Sequence, residues 1–351
     1  MLRLRRPASA GTKKHIAPVT FRYIARIVTR LSILLILVCL LSLVIGLGDF
    51  FRPDLLLSVF TNPAGSAPSP EETILFSLRL PRILFAAVVG ASLSLAGVVF
   101  QAVLRNPLAD PYILGVSGGA ALGAVLATLF ISSLWTIPLL AFSGAMVTII
   151  LIFGFSWLRD DREGHTLLLT GVIINAFFSA LLMFFFSMSK SDQAQSILFW
   201  LMGNVSLAEG REIILTGAVM TAGFALLFVY ARSLNLLTLG DETAMQLGID
   251  VKRTKKLLLV TASLVTATAV SMSGTIGFIG LVVPHLMRLL FGADHRILLP
   301  AALLAGAIFM VLADTLARTV LAPVELPVGV VTALCGAPYF LYLLHTKRTS
   351  S

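Results

Sequence analysis

The chain has 351 residues, 58% of them hydrophobic and only 12% charged, with a mean hydropathy of +0.97. A water-soluble fold of that length needs far more polar surface to cover its core, so a soluble enzyme or binding domain is excluded. The formal net charge of +9 raises nucleic acid as a partner, but eight of the basic residues (Arg3, Arg5, Arg6, Lys13, Lys14, Arg22, Arg26 and Arg30) precede the first acid, Asp49. That is the pattern of a basic flank before a first membrane span, and no nucleic-acid partner is implied.

In chain order, residues 1–28 read as a basic tail and Leu31–Leu47 as the body of a first, retained span. The basic region is too long for a signal peptide, and no small-residue cleavage site follows Leu47. Long charge-free stretches come next, among them Ile83–Leu104, Pro111–Leu158 and Leu257–Pro284. Roughly 20 apolar residues cross a bilayer as a helix, so the longer stretches hold two crossings each. The expected spans are 29–48, 82–104, 112–133, 137–157, 165–187, 211–231, 255–273, 277–291, 297–317 and 327–345. The eighth is interrupted at its start by Gly274-Thr275-Ile276-Gly277, which argues for a tight turn or a broken helix, and Pro284 predicts a kink within it. Cys39 and Cys335 fall inside apolar runs without metal-ligand company and read as packing residues.

With the N-terminus inside, the outer segments hold only Arg52, Arg79, Arg82, Lys190, Arg211 and Arg318 of the 26 basic residues, and the inner segments hold all the others. This asymmetry supports a multi-pass protein of the inner membrane with both termini cytoplasmic. The domain reading is therefore a tail at 1–28, a transmembrane domain at 29–345 with a cytoplasmic loop at 233–256, and a short tail at 346–351. Ten spans also divide as five plus five, and an odd number per half would make the halves an inverted repeat.

No span carries the acids and bases of an ion relay. Asp314 and Arg318 are the main exception and stand four apart, a pair that neutralises itself on one helix face. An ion-coupled secondary transporter, the alternative reading, is disfavoured for this reason. A membrane-embedded enzyme is disfavoured because His285 has no acid or second histidine at matching depth. No phosphate-cradling G-x-x-x-x-G-K-[ST] loop, catalytic group, metal site or cofactor site is read. Gly115, Gly119 and Gly123 share one helix face and predict close helix packing.

The most informative polar segment is Leu239-Gly240-Asp241-Glu242-Thr243-Ala244-Met245-Gln246-Leu247-Gly248. It reads as a short helix with Asp241 as N-cap, Glu242 in the first turn and Gly248 just past the end. Leu239, Ala244, Met245 and Leu247 are its apolar residues, and its acids distinguish it from a basic amphipathic helix lying on lipid. A protein partner on the cytoplasmic side is the better explanation.

Several motifs then carry a specific resemblance. They are Arg79-Leu80-Pro81-Arg82, Gly90-Ala91-Ser92-Leu93-Ser94-Leu95-Ala96-Gly97, Gln101, Arg105-Asn106-Pro107-Leu108-Ala109-Asp110-Pro111, Leu114–Ala120, the 239–248 segment, Gly277–His285, Asp314 with Arg318, and Glu325-Leu326-Pro327-Val328-Gly329. In this order and spacing, from about Arg79 to Tyr342, the chain resembles the permease subunits of iron-siderophore, haem and cobalamin ABC importers. One departure is Thr275, where many relatives carry proline.

The resemblance implies an all-α homodimer of ten-span subunits that moves its cargo inward by alternating access. It implies two cytoplasmic ABC ATPase subunits and an extracytoplasmic binding protein as partners. The 239–248 segment corresponds to the family's ATPase-coupling loop, and Arg79, Arg82 and Arg318 to its binding-protein docking positions. Gln101, Asn175 and Ser179 are candidates for the translocation path, each with an interhelical hydrogen bond as the competing role.

Overall fold

The computed structural model describes residues 20–45, 73–131, 135–158, 165–206 and 210–348. Most of the basic tail, together with Arg52, Arg159 and Arg162, lies outside the described residues. Among the described residues the chain is helical: α1 (Phe21–Val44), a π-helical turn (Ile74–Arg79) running into α2 (Leu80–Val103), a 3-10 turn (Pro111–Leu114), α3 (Val116–Phe130) and α4 (Thr136–Leu158). Then follow α5 (His165–Ser187), α6 (Ser191–Leu201), α7 (Gly210–Val229), α8 (Ala231–Leu237) and α9 (Asp241–Gln246). The remainder is α10 (Val251–Ser273), α11 (Ile279–Phe291), α12 (His295–Thr319) and α13 (Val328–Arg348). Ten of these coincide with the ten predicted spans. The short helices α6 and α8 have no counterpart in the sequence reading.

Among the described residues seven helices are long and apolar enough to cross a membrane, and three apolar ones, Val116–Phe130, Ile279–Phe291 and Val328–Tyr342, are shorter. The first two of those begin beside irregular backbone. Span three was expected from residue 112, but Gly115, at φ 70°, separates the 3-10 turn from α3. The expected break before span eight is present, with residues 274–278 non-helical and Phe278 at φ 69°.

Irregular backbone inside a bilayer is tolerated only where protein groups replace the missing helical bonds. The Tyr112 hydroxyl donates to the Ile276 carbonyl at 3.0 Å and accepts from the Ile276 amide at 3.1 Å. The Ser273 carbonyl accepts from the Asn204 amide at 2.7 Å, and the Thr275 hydroxyl donates to the Leu201 carbonyl.

Helix α2 is the centre of the bundle. It is apolar all round and buried from Val89 through Val103, as a helix without a polar face must be. Its closest partner is α12. A side-chain carbon added at Gly90 would overlap the Gly306 carbonyl, and the reverse also holds, so only glycine permits this crossing. The Ser94 hydroxyl donates to the Ala302 carbonyl at 2.7 Å one turn further on. Helices α3 and α4 meet in the same way through Gly119, Gly123 and Gly144, which agrees with the packing role read for the glycine face.

Candidate functional site

Three clusters of polar side chains stand out among the described residues, two at the end of the bundle that carries α8 and α9 and one at the opposite end. Helix α9 is shorter than expected. Gly240, at φ 117°, holds the N-cap position predicted for Asp241, because only a residue without a Cβ turns the chain so sharply after α8. Asp241 instead serves a bridge: its Oδ2 accepts from Lys255 Nζ of α10 at 2.5 Å, and its Oδ1 lies 3.7 Å from Arg105 Nη2 just beyond α2. Gly248, at φ 85°, ends the helix as predicted.

The apolar face of this helix differs from the expectation at one residue. Ala244 is fully buried within its own chain, whereas Leu239, Met245 and Leu247 are more than half exposed. Ala244 therefore anchors α9 to the bundle, and the free apolar edge consists of the other three. Glu242 is exposed beside them.

The second cluster at this end joins α8 to the start of α12. Asn235 Nδ2 donates to Asp294 Oδ1 at 3.0 Å, while Asn235 Oδ1 accepts from the His295 amide at 2.9 Å and lies 2.7 Å from His295 Nδ1. Asp294 caps α12 by accepting from the Arg296 amide, and it pairs with the Arg296 guanidinium. Hydrogen bonding to Arg296 holds the Asp294 carboxyl well below the usual carboxylate range, with Asn235 adding to the effect.

At the opposite end, Asp314 is fully buried on α12 and receives two arginines. Arg82 Nη2 lies 2.9 Å from Oδ1, and Arg318 Nε lies 3.2 Å from Oδ2. Arg82 Nη1 also pairs with Glu325 at 2.8 Å. Arg318 Nη2 donates to the carbonyl and hydroxyl of Ser42, and Arg79 Nη1 donates to the Leu43 and Ile45 carbonyls at 3.0 and 2.7 Å. Both thus satisfy the open carbonyls at the C-terminus of α1, where positive charge is favoured.

The three arginines that the resemblance assigns to docking are therefore brought together, but their guanidiniums bond within the chain. The Arg82 and Arg318 side chains are only 11% and 7% exposed. Lone guanidiniums at this depth would leave Asp314 and the α1 carbonyls unpaired, and pairing them is the lower-energy arrangement. Sequence reasoning found the Asp314–Arg318 spacing but missed Arg82 and Ser42 as its partners, which no local spacing signals. A cavity of about 340 Å³ opens beside this cluster, lined by Arg82, Phe199, Asn204, Asp314, Val324 and Glu325 among others.

The path candidates separate. Gln101 is buried, and its amide donates to the Leu281 carbonyl at 3.1 Å and the Gly280 carbonyl at 3.3 Å, so it ties α2 to α11. Asn175 and Ser179 lie exposed on α5, one turn apart on the face that also carries exposed Val172. Cys39 is half-buried, and Cys335 is exposed rather than packed inside its own chain.

The FecCD transport family matches residues 34–346 of this chain. The chain is 44% identical over 292 residues to an ABC transporter permease protein of Bacillus subtilis, with 81% of this chain and 82% of that protein aligned. It is 44% identical over 283 residues to the cobalamin import system permease protein BtuC of Halobacterium salinarum, covering 80% and 76%. It is 40% identical over 319 residues to the hemin transport system permease protein HmuU of Yersinia pestis, covering 88% and 94%. A solved metal-chelate-type ABC transporter in an inward-facing conformation superimposes with a TM-score of 0.81 at 34% identity, over 92% of this chain and 99% of that one. The chain thus belongs to the FecCD transport family, as a multi-pass membrane permease subunit of an ABC importer rather than an enzyme.

Proposed function

We propose that two copies of this chain form the membrane channel of an importer for a metal chelate such as haem or a ferric siderophore, or for a corrinoid. The relatives named for cobalamin and hemin support that cargo class. In this reading both termini and the α8–α9 end face the cytoplasm. Two ATPase subunits dock on the edge formed by Leu239, Met245 and Leu247, with Gly240, Asp241, Glu242, Ala244 and Gly248 holding that edge in place. The observation that carries the reading is the construction of α9: it is pinned by Asp241 to α2 and α10 and by buried Ala244, yet it presents large apolar side chains outward. Such anchors at a helix edge are what a partner groove takes up.

Binding and hydrolysis of ATP in the partners would move this platform and open the channel to one side at a time. Asn175 and Ser179 on the exposed face of α5 belong to the surface that a second copy and the path would share. Gln101 has a packing role instead.

An extracytoplasmic binding protein is proposed to dock at the Asp314 end. Arg79, Arg82 and Arg318 lie at that end, and half-exposed Glu325, paired with Arg82, adds a negative contact.

The test is Met245→Asp combined with Leu247→Asp. Membrane insertion is expected to stay normal while co-purification of the ATPase is lost. Wild-type retention of the ATPase would show that this edge is not the docking surface.

A further inference from the structure

Helices α2 and α12 share three features that no other pair of spans combines among the described residues. They touch backbone to backbone at Gly90 and Gly306, with the Ser94–Ala302 bond beside it. They are tied to one another by the Arg82–Asp314 pair at one end. At the other end each meets the α8–α9 platform separately: Arg105, two residues past the end of α2, forms a 3.7 Å ion pair with Asp241, and α12 is hydrogen-bonded through Asp294 and His295 to Asn235. Pro300 lies close to the inner end of α12, so the helix from there to Thr319 runs on without interruption.

We propose that the α2–α12 pair moves as one rigid strut between the ATPase platform and the opposite face, and that Asn235 is the positioning residue that locks the strut to the platform. The proposal rests on the reading of α9 as the ATPase dock. A backbone-to-backbone crossing leaves no flexible side chains to absorb displacement, so a shift of either helix carries the other with it. A planar amide is suited to the lock. Its two ends bond in opposite senses, the NH₂ to the Asp294 carboxylate and the oxygen to the first amide of α12, so it fixes both position and rotation of the helix start. The lever has a reading point at its far end, because Asp314 and Arg82 line the cavity together with exposed Val324.

The experiment uses the full importer with its ATPase, in a chain carrying Cys39→Ser, Cys335→Ser and Val324→Cys. An impermeant maleimide measures the labelling rate at position 324 before and after trapping with Mg-ATP and vanadate. Trapping is expected to change that rate, and Asn235→Ala is expected to shrink the change about fivefold or more while the ATPase is still retained and still trapped. Combining Asn235→Asp with Asp294→Asn reverses the direction of the bond, leaves an acceptor for the α12 amide and is expected to restore the response. An unaltered response in Asn235→Ala overturns the proposal, as does the lack of any response in the parent. Parallel loss of ATPase retention in Asn235→Ala assigns the residue to folding alone and also overturns it. If Met245→Asp with Leu247→Asp still retains the ATPase, the docking reading has failed rather than the strut.

Discussion

Asp314 shows how much one side chain can hold. Its carboxylate is fully buried between the Arg82 and Arg318 guanidiniums, and those arginines extend the network to Glu325 and to the end of α1. Removing one partner of a buried pair leaves uncompensated charge and costs about 3–5 kcal/mol. Asp314→Ala is therefore expected to lower the thermal midpoint in detergent markedly, whereas Glu325→Ala, at a half-exposed position, is expected to change stability by about 1 kcal/mol or less. Similar midpoints for the two variants would refute this ranking.

Asp110 behaves differently. Its carboxyl accepts from the Tyr112 amide at 2.8 Å, but burial dominates and pushes its pKa up to about 6. The unfolded chain binds that proton only near the ordinary aspartate value of 3.8, so the folded form is favoured at low pH and this contribution fades as pH rises from about 4 to 6. Asp110→Asn keeps an acceptor for the turn and is expected to gain about 2 kcal/mol at pH 7 relative to pH 4. Parallel pH profiles of the two proteins, followed by thermal unfolding, would contradict it.

At the scale of elements, glycines decide which helices can approach. Gly306→Leu places a side chain against the Gly90 carbonyl and is expected to prevent the α2–α12 crossing, seen as loss of folded protein on size-exclusion chromatography. Gly154 lies within α4 with open space around the position of a Cβ. Gly154→Ala is therefore expected to be neutral or stabilising by up to about 1 kcal/mol, the helix-propensity difference. If both variants behave alike, space at the crossing is not what selects glycine. Helix α9 follows the same logic of contact: Ala244 is small because it faces its own bundle, so Ala244→Asp would break the fold rather than report on a partner.

For the whole molecule, the distribution of charge sets the orientation. A cysteine introduced as Ser189→Cys is expected to react with an impermeant thiol reagent from outside, and one introduced as Thr243→Cys only from inside. Labelling in the reverse sense at either site would refute the ten-span topology with both termini inside. Docking of the binding protein is expected to weaken as salt is raised, and Arg79→Gln is expected to slow association mostly at low ionic strength. Arg82→Glu is a poor probe of docking, since it would place a carboxylate against Asp314.

Ten apolar runs and the break at residues 274–277 were legible in the sequence because the bilayer acts on each segment separately. It demands length, low charge and satisfied backbone of every span whatever its neighbours are. The family motifs were legible for a related reason: closely approaching glycines and turn residues leave their mark in local spacing. Which face of a helix turns inward was not legible, because that depends on partners far away in the chain. Arg82 meets Asp314 across 232 residues, and Asn235 meets His295 across 60. The sequence by itself therefore determined a ten-span permease with a short helix between spans six and seven, though not its N-cap. Only the tertiary structure decided that the three arginines close on Asp314 and the end of α1, that Ala244 is an internal anchor, and that Gln101 bonds α11. The arginines and Gln101 take the polar partners that folding brings within reach, and Ala244 fills a contact that only the packed bundle creates.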